Sequence, residues 1–170
     1  MTRIATRVAI VLAVLLAGPL WAEEVVPGES VLGFAVVLGE RRVEGRFEEW
    51  TAEIDVEAGV LVVEVATGSA TTGDALIDAV MLGGGWLDVR AHPRAVFRSD
   101  TLAEGGDGRT ASGVLSIAGA DLPVDVAIRA AAPRRYEARA TIDRHAVGIG
   151  PDGPPVGPAV EVRAMVVLTP

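Results

Sequence analysis

Apolar and polar residues alternate with a period of two along most of the chain from Glu29 to Leu168. In the clearest stretch, residues 136–142, Tyr, Ala, Ala and Ile are separated by Glu, Arg and Thr. Side chains of a β-strand point alternately to the two faces of a sheet, so this pattern predicts strands with one apolar and one polar face. Turns rich in glycine, such as EGGDG at 104–108, separate the strands.

The alternation predicts about eight strands. They cover residues 34–38, 43–56, 61–65, 95–99, 115–117, 122–128, 136–142 and 160–168. Residues 151–158 are rich in Pro and Gly and are predicted to be a loop. Short strands at such regular spacing favour either a sandwich of two sheets or an up-and-down barrel.

The inward-facing positions carry few large side chains. These are Phe34, Phe47, Trp50, Phe97 and Tyr136, and most of the others are Val and Ala. A barrel of about eight strands can hold one small ligand, or its own side chains can fill it. Because an unfilled apolar volume costs about 24 cal/mol per Å³, a long apolar guest is a plausible filler. A sandwich packed shut by Val and Ala is the alternative, and composition alone leaves both open.

One stretch, Ser69 to Ser99, predicts a helix followed by a strand. Thr71 or Thr72 is expected to cap the helix, with Asp74 in its first turn. Apolar residues at 76, 77, 80 and 81 form one stripe, and three glycines at 83–85 end the helix. A short helix with an apolar face among many strands suggests a lid on a sheet or a plug in a barrel.

The first 22 residues predict a secretory signal peptide. Arg3 and Arg7 precede an apolar run of ten residues, and cleavage is expected near Ala22. A spanning helix needs about twenty apolar residues, so an uncleaved anchor is disfavoured. We therefore expect a signal peptide at 1–22, one domain at 23–170, and a periplasmic or secreted protein.

Composition excludes several kinds of chemistry. The chain has no cysteine, and all 15 of its basic residues are Arg, so thiolate metal sites and lysine Schiff bases are absent. The net charge of −8 opposes binding to phosphate backbones, so nucleic acid is not an expected partner.

No motif predicts an enzyme or a metal site. Residues 148–153 match G-x-G-x-x-G, but prolines at 151, 154 and 155 prevent the helix that a dinucleotide site requires. The only two histidines, His92 and His145, lie far apart in the chain. Ser99, His145 and Asp143 lack the sharp turn that exposes a nucleophile, so a catalytic triad is rejected.

The order of several short motifs resembles the YceI-like family of secreted lipid-binding domains. The matching stretches are Phe34 with VEGRF at 43–47, Ile54-Asp55, SATTGD at 69–74 with Asp78 and Leu82, WLDV at 86–89, HPRAVFRS at 92–99, GVLSIAGADLPV at 113–124, and DRHAVGIG at 143–150. No single motif is specific, but seven in the same order over nearly the whole mature chain are. The chain departs from the pattern in lacking a His near Leu38 and in carrying the glycine run at 83–85.

The resemblance implies an all-β fold, an extended eight-stranded antiparallel lipocalin-like barrel with one short helix near residues 74–82. It also implies a non-enzymatic protein that holds a polyprenyl lipid or an isoprenoid quinone in an apolar lumen, with no other cofactor. The partners expected are this lipid, a transient membrane contact and a second copy in a homodimer. The alternative is an envelope domain for structure or interaction, with a packed interior and no ligand.

On this interpretation the site has two parts. The lumen residues predicted are Phe34, Val36, Phe47, Trp50, Ile54, Val63, Val65, Leu82, Trp86, Leu87, Phe97, Leu115, Ile117, Val126 and Ile128. The predicted head-group residues are Asp78, Arg94 and Arg144, because selectivity for a head group requires polar residues at the mouth of the lumen.

Overall fold

The part of the chain that the structure describes folds into one curled antiparallel sheet with a single short helix. The computed structural model describes residues 23–55, 59–106, 108–151 and 155–169, so the predicted signal peptide lies outside the described residues. The strands are β1 (Glu23–Glu24), β2 (Val31–Leu38), β3 (Arg41–Phe47), β4 (Trp50–Asp55), β5 (Val60–Ala66), β6 (Ala70–Thr71), β7 (Arg94–Gly105), β8 (Gly108–Ile117), β9 (Ala120–Ala132), β10 (Arg135–Asp143) and β11 (Val156–Val167). The helix α1 spans Ala75–Met81, and two 3-10 turns span Thr67–Ser69 and His145–Val147.

The two edges of the sheet meet where the chain bends at residues 48–49. The strand order is β1-β4-β5-β7-β8-β9-β10-β11-β2-β3-β6, so β3 and β4 belong to opposite edges although they are consecutive in sequence. The turn Thr67–Ser69 bridges them, because Ser69 O accepts from Glu48 N at 3.1 Å and Ala66 N donates to Glu49 O at 3.0 Å. The sheet therefore curls into a partly closed barrel with a concave inner face.

The predicted all-β fold with one short helix is confirmed, but the described residues form eleven strands rather than eight. The two-residue strands β1 and β6 were not predicted, and two longer strands differ from the prediction. The segment predicted as one strand over 43–56, with a bulge at Glu48-Glu49, bends at those two residues and forms both β3 and β4. Strand β11 begins at Val156, inside the predicted loop, where Val156 pairs with Leu38 before an irregularity shifts the register at Val160. The interrupted alternation at Glu48-Glu49 indicates an irregularity, but it does not show that the two halves join opposite edges of the sheet.

A bulge in β7 is stabilised by a buried hydroxyl. The register between β7 and β8 shifts between Ser99 and Thr101. Ser99 is 2% exposed, and its Oγ accepts a hydrogen bond of 2.7 Å from Leu61 N. A Cβ at Gly113 would lie 2.1 Å from the Arg98 carbonyl oxygen, so glycine is required opposite the bulge. Ser99 thus has a structural role.

Ion pairs cross the outer face where β11, β2 and β3 lie side by side. Arg42 on β3 donates to both carboxylate oxygens of Glu161 on β11, at 3.1 and 2.9 Å, and to Glu44 at 3.0 Å. Hydrogen bonds from Arg42 are the main reason that the pKa of Glu161 falls from 4.5 to about 2, and they raise the pKa of Arg42. The bidentate pair fixes the register of two strands that flank β2.

This pair predicts a specific loss of stability in acid. Because the pKa of Glu161 is lower in the folded state, its contribution is present above about pH 4.5 and is lost as the pH falls towards 2. Urea unfolding of Glu161→Gln is expected to show lower stability at pH 7 and a shallower decline between pH 4.5 and 2 than the native chain. Glu40→Gln, at an exposed turn residue, is the control. Parallel pH curves for the native chain and Glu161→Gln would contradict this assignment.

Candidate functional site

The strand residues predicted to line a lumen all share the concave face. Val63, Phe97 and Leu115 are paired across β5, β7 and β8. The same face continues through Val36 and Val160, which pair between β2 and β11. The predicted residues on this face are Phe34, Val36, Phe47, Trp50, Ile54, Val63, Val65, Phe97, Leu115, Ile117, Val126 and Ile128. Their shared orientation follows from the alternation, whereas their role in binding stays a prediction.

The concave face is packed on one side and more accessible on the other. Leu61, Phe97, Ala111, Leu115 and Val124 form a buried cluster on β5, β7, β8 and β9. Leu32 on β2 and Val166 on β11 are buried in the opposite wall, but most of its inner side chains are half-buried. They are Tyr136, Ala138, Ala140 and Ile142 on β10, Val160, Val162 and Ala164 on β11, and Phe34 and Val36 on β2. Ala140 and Ile142 pack against this buried cluster, and Val162 and Ala164 pack against a second one of Leu32, Val65 and Ala95. The exposure that these inward-pointing side chains keep is on the concave side.

This accessible wall includes residues that the sequence-based site prediction missed. Ala138, Ala140, Val160, Val162 and Ala164 were absent from the predicted lumen although the alternation assigns them to the inner face. The prediction favoured large side chains, whereas space for a guest is created by small ones. Counting small residues at inward positions of adjacent strands is the signal that would have found this wall.

One end of the concave face is covered by α1 and the segment that follows it. Leu87 is buried with Ala70, Val147 and Ile149, and Met81, Leu82 and Trp86 pack against this cluster together with Phe34 and Phe47. The prediction of a helix that covers the sheet matches this placement. Of the predicted stripe, Ile77 and Met81 are half-buried, but Leu76 is 81% and Val80 is 56% exposed.

Asp78 anchors α1 to the strand before it. Its Oδ1 accepts from Thr72 N at 2.7 Å and from the Thr72 hydroxyl at 2.6 Å, and its Oδ2 accepts from the Thr71 hydroxyl at 2.7 Å. These bonds, led by that from the Thr72 hydroxyl, lower the pKa of Asp78. Asp74, rather than Thr71 or Thr72, is the N-cap and accepts from Leu76 N and Ile77 N. Both oxygens of Asp78 are engaged in anchoring α1, and its head-group role stays a prediction.

Arg144 is buried and fastens the loop after β10. Its side chain is 2% exposed and donates to the carbonyls of Ile149, Pro151, Val156 and Gly157 at 2.7–2.9 Å. The guanidinium is directed at backbone carbonyls of its own loop, and the predicted head-group role of Arg144 stays a prediction.

The ring of Trp86 is held against this loop. The guanidinium of Arg144 lies 5.5 Å from the centroid of the ring. Further along the same loop, a Cβ at Gly150 would lie 2.8 Å from the ring, so only glycine allows this approach. Gly150 N also donates to Gly85 O at 2.7 Å. Arg144 and Gly150 thus connect the segment after α1 to the loop after β10.

Arg94 lies on the outer face. Its neighbour Ala95 is buried on the inner face, and the exposed Arg94 side chain pairs with Glu64 on β5. This ion pair directs Arg94 away from the concave face, and its head-group role at the lumen mouth stays a prediction.

Two clefts open in the wall of the sheet. One has a volume of about 300 Å³ and lies where β9, β10 and β11 meet, with Asp125, Arg139 and Arg163 in its lining. The other, of about 220 Å³, lies beside the β7–β8 hairpin. Across the residues that the structure describes, no three His, Asp or Glu side chains converge on a point where they could bind a metal ion. No described helix has the length and apolar character needed to cross a bilayer.

The chain is similar to a known family over almost all of its described length. The sequence model of the family described as YceI-like domain matches residues 24–168. No curated protein sequence matches the chain significantly.

Several solved structures share the fold. BcnA of Burkholderia cenocepacia is similar with a TM-score of 0.74 and 22% identity, over 85% of this chain and 99% of that one. A polyisoprenoid binding domain from Saccharophagus degradans, implicated in plant cell wall breakdown, has a TM-score of 0.67 and 14% sequence identity. The match covers 86% of this chain and 97% of that one. The YceI protein of Campylobacter jejuni has a TM-score of 0.63 and 17% sequence identity, over 78% of this chain and 86% of that one.

The Arg144 loop predicts a large effect of one substitution on stability. Arg144→Met leaves four carbonyls without their donor, so the free energy of unfolding is expected to fall by about 3 kcal/mol or more. Arg144→Lys keeps the charge but loses the planar guanidinium, so its free energy of unfolding is expected to lie between those of the native chain and of Arg144→Met. Urea unfolding at pH 7 measures the difference, with Arg90→Met at an exposed arginine as the control. Equal midpoints for Arg144→Met and Arg90→Met would show that the loop does not depend on Arg144.

Proposed function

Because this chain belongs to the YceI-like domain family, we propose that it is a non-catalytic carrier that binds the long apolar chain of an isoprenoid lipid on the concave face of its sheet. The observation that carries this proposal is the half-buried apolar wall of β10, β11 and β2. When an apolar guest covers inward-pointing side chains that are still accessible to solvent, apolar surface is removed from water and the complex is stabilised.

The chemistry of an isoprenoid chain fits this wall. Val160, Val162 and Ala164 expose branched or methyl groups, which pack against branched hydrocarbon without requiring hydrogen bonds. Each buried CH₂ contributes roughly 0.8 kcal/mol to binding. The summed contribution of a long hydrocarbon chain would exceed the practical limit on binding free energy, about 20 kcal/mol, unless the entropic cost of ordering the ligand offset much of it. Contacts with the hydrocarbon chain of the ligand therefore supply affinity, and selectivity must come from the polar end of the ligand.

The comparisons support this choice of ligand class and leave its identity open. The Saccharophagus degradans domain of similar fold is described as polyisoprenoid binding. We further propose that the protein acts in the periplasm or outside the cell, because its first 22 residues have the charge and apolar pattern of a signal peptide. A quinone head group and a polyprenyl chain without one are both compatible with the apolar wall.

A packed, ligand-free envelope domain is the second candidate. The buried cluster of Leu61, Phe97, Ala111, Leu115 and Val124 favours it, because these side chains already fill one side of the interior. Neither of the two clefts described above is an elongated tunnel beneath α1. The two candidates differ in whether the accessible wall has a guest.

Extraction of the purified protein distinguishes them. Organic extraction and mass spectrometry of the native chain are expected to yield one apolar molecule per protein. Val36→Trp, which fills the concave side, is expected to lower the bound lipid by at least about tenfold, whereas Val37→Trp on the exposed outer face of the same strand keeps it. An empty extract from a folded native chain would favour the packed domain, and equal retention by both variants would place the lipid elsewhere.

We also propose that α1 touches a lipid bilayer when the ligand is loaded. Leu76 and Val80, one helical turn apart, are 81% and 56% exposed. In residues 75–87 Asp78 is the only ionisable residue, and Thr71 and Thr72 engage its carboxylate. An exposed apolar surface without free charge is suited to the interface of a zwitterionic bilayer.

Vesicle flotation tests this contact. Leu76→Ser with Val80→Ser is expected to lower binding to phosphatidylcholine vesicles by about tenfold, because two exposed apolar side chains no longer enter the interface. Val31→Ser with Val37→Ser removes two exposed apolar residues from the outer face of β2 and is the matched control. Equal flotation of the two double variants would contradict a specific role of α1.

A further inference from the structure

Strand β3 has a free edge over most of its length. On one side it pairs with β2 from Arg41 to Phe47, whereas on the other side β6 pairs only with Arg46 and Phe47. Among the described residues, no hydrogen bond from another segment reaches this second side of residues 41–45. We call residues 41–45 the free edge of β3. An edge of this kind presents backbone donors and acceptors to which another strand can pair.

The unpaired backbone groups belong to Arg42 and Glu44. Leu38 and Arg41 lie opposite each other across the two-residue turn 39–40, which makes them a hydrogen-bonded pair. Bonded and non-bonded pairs alternate along an antiparallel ladder, so every second residue of β3 bonds to β2. Arg42 and Glu44 are the residues between, and their N–H and C=O groups point away from β2.

The side chains of the free edge are charged on the outer face and apolar on the inner one. Arg42 and Glu44 are exposed on the outer face, and Val43 between them points inwards and is buried. Charged side chains on an edge usually prevent it from pairing with other strands. Here a positive and a negative residue flank Val43 symmetrically, so the free edge is complementary in charge to a second copy of itself.

This complementarity holds in one register. When two copies pair antiparallel about Val43, Arg42 lies opposite the partner's Glu44, and Glu44 lies opposite the partner's Arg42. Moving the centre of the pairing by one residue in either direction puts Arg42 opposite itself or Glu44 opposite itself. Like charges directly opposite each other destabilise a pair of strands, whereas opposite charges stabilise it. The charge pattern therefore selects pairing about Val43.

Both charged side chains keep capacity for a partner. Arg42 donates through Nε to Glu44 and through Nη1 and Nη2 to Glu161, which uses three of the five N–H donors of a guanidinium. Glu44 accepts only through Oε1, and its side chain is 71% exposed. A second copy can therefore add to the ion pairs of the outer face without breaking them.

We infer that two copies of this chain form a two-fold dimer in which the free edges of β3 pair antiparallel about Val43. Backbone hydrogen bonds are exchanged between Arg42 and the partner's Glu44, and the two-fold axis repeats them, so the interface is closed and isologous. The free edge is short and buries less than the roughly 1,200 Å² of a standard stable interface, so the dimer is weak and forms at high protein concentration. The inference does not depend on the proposed ligand, because the pairing uses an edge and not the concave face.

Sedimentation velocity over a series of protein concentrations tests the dimer. The native chain is expected to change from monomer to dimer as the concentration rises. Glu44→Arg puts like charges at both contacts with Arg42 and is expected to weaken the dimer by at least about tenfold. Glu53→Arg, which makes the same charge change at an exposed residue of β4, is the control and keeps the dimer. A native chain that stays monomeric up to about 1 mM would overturn the inference.

A mixture of two single variants tests the register. Arg42→Glu alone puts Glu opposite Glu, and Glu44→Arg alone puts Arg opposite Arg, so neither variant is expected to dimerise. In the mixture every Arg of one chain lies opposite a Glu of the other, so a heterodimer is expected to form. Two folded variants that stay monomeric when mixed would overturn pairing about Val43.

A proline variant tests the edge without removing the pair between Arg42 and Glu161. Glu44→Pro lacks the N–H that points away from β2, so the ladder to β2 is kept and pairing with a second copy is blocked. It is expected to weaken the dimer by at least about tenfold, and Glu44→Ala, which keeps the N–H, is expected to weaken it less. Circular dichroism checks that both variants fold. Equal dimerisation of Glu44→Pro and the native chain would place the interface elsewhere and overturn the inference.

Discussion

The bend at residues 48–49 is the constraint on which the shape of the molecule depends. It joins β3 and β4, which lie at opposite edges of the strand order, so that the sheet must curl until these edges meet. The hydrogen bonds of Glu48 and Glu49 to residues 66 and 69 then hold the edges together. A curled sheet whose inner face is apolar has to bury that face against itself or against a guest.

The two walls of the sheet meet this requirement in different ways. On one wall Phe97 and Leu115 reach across the interior and become buried. On the other, small side chains such as Ala140 and Ala164 leave their neighbours half-buried. Because dispersion contacts are lost wherever a gap remains, a hydrocarbon chain would form the most new dispersion contacts on the second wall.

Much of the fold was predictable because it rests on local pattern. The alternation assigned Val63, Phe97 and Leu115 to one face, and the structure pairs them. The order of motifs predicted the family, which the family model confirms. The cap of α1 was placed too early, because Thr71, Thr72 and Asp74 are all good capping residues and only tertiary contacts decide between them.

The polar part of the site was not predictable, because it depends on partners that are distant in sequence or on the backbone. Arg144 binds carbonyls as far away as Gly157, and no side-chain pattern announces a guanidinium bound by carbonyls. The separation of β9 from β10 is likewise a matter of register between two strands that each alternate regularly. Alternation therefore indicates which residues face inwards, whereas the partners of Arg144 and of Asp78 are decided by tertiary contacts.

The burial of Arg144 helps to explain how a gap can persist in a sheet. A buried charge is costly unless it is well bonded, and among the described residues this guanidinium is bonded to four backbone carbonyls and stacked near Trp86. Those bonds hold the loop that covers Ala120 and Leu122, so the N-terminal part of β9 packs against side chains of this loop while its ladder to β10 is open. The loop thus compensates by packing for the backbone pairing that β9 and β10 lack beyond Arg139 and Ala127.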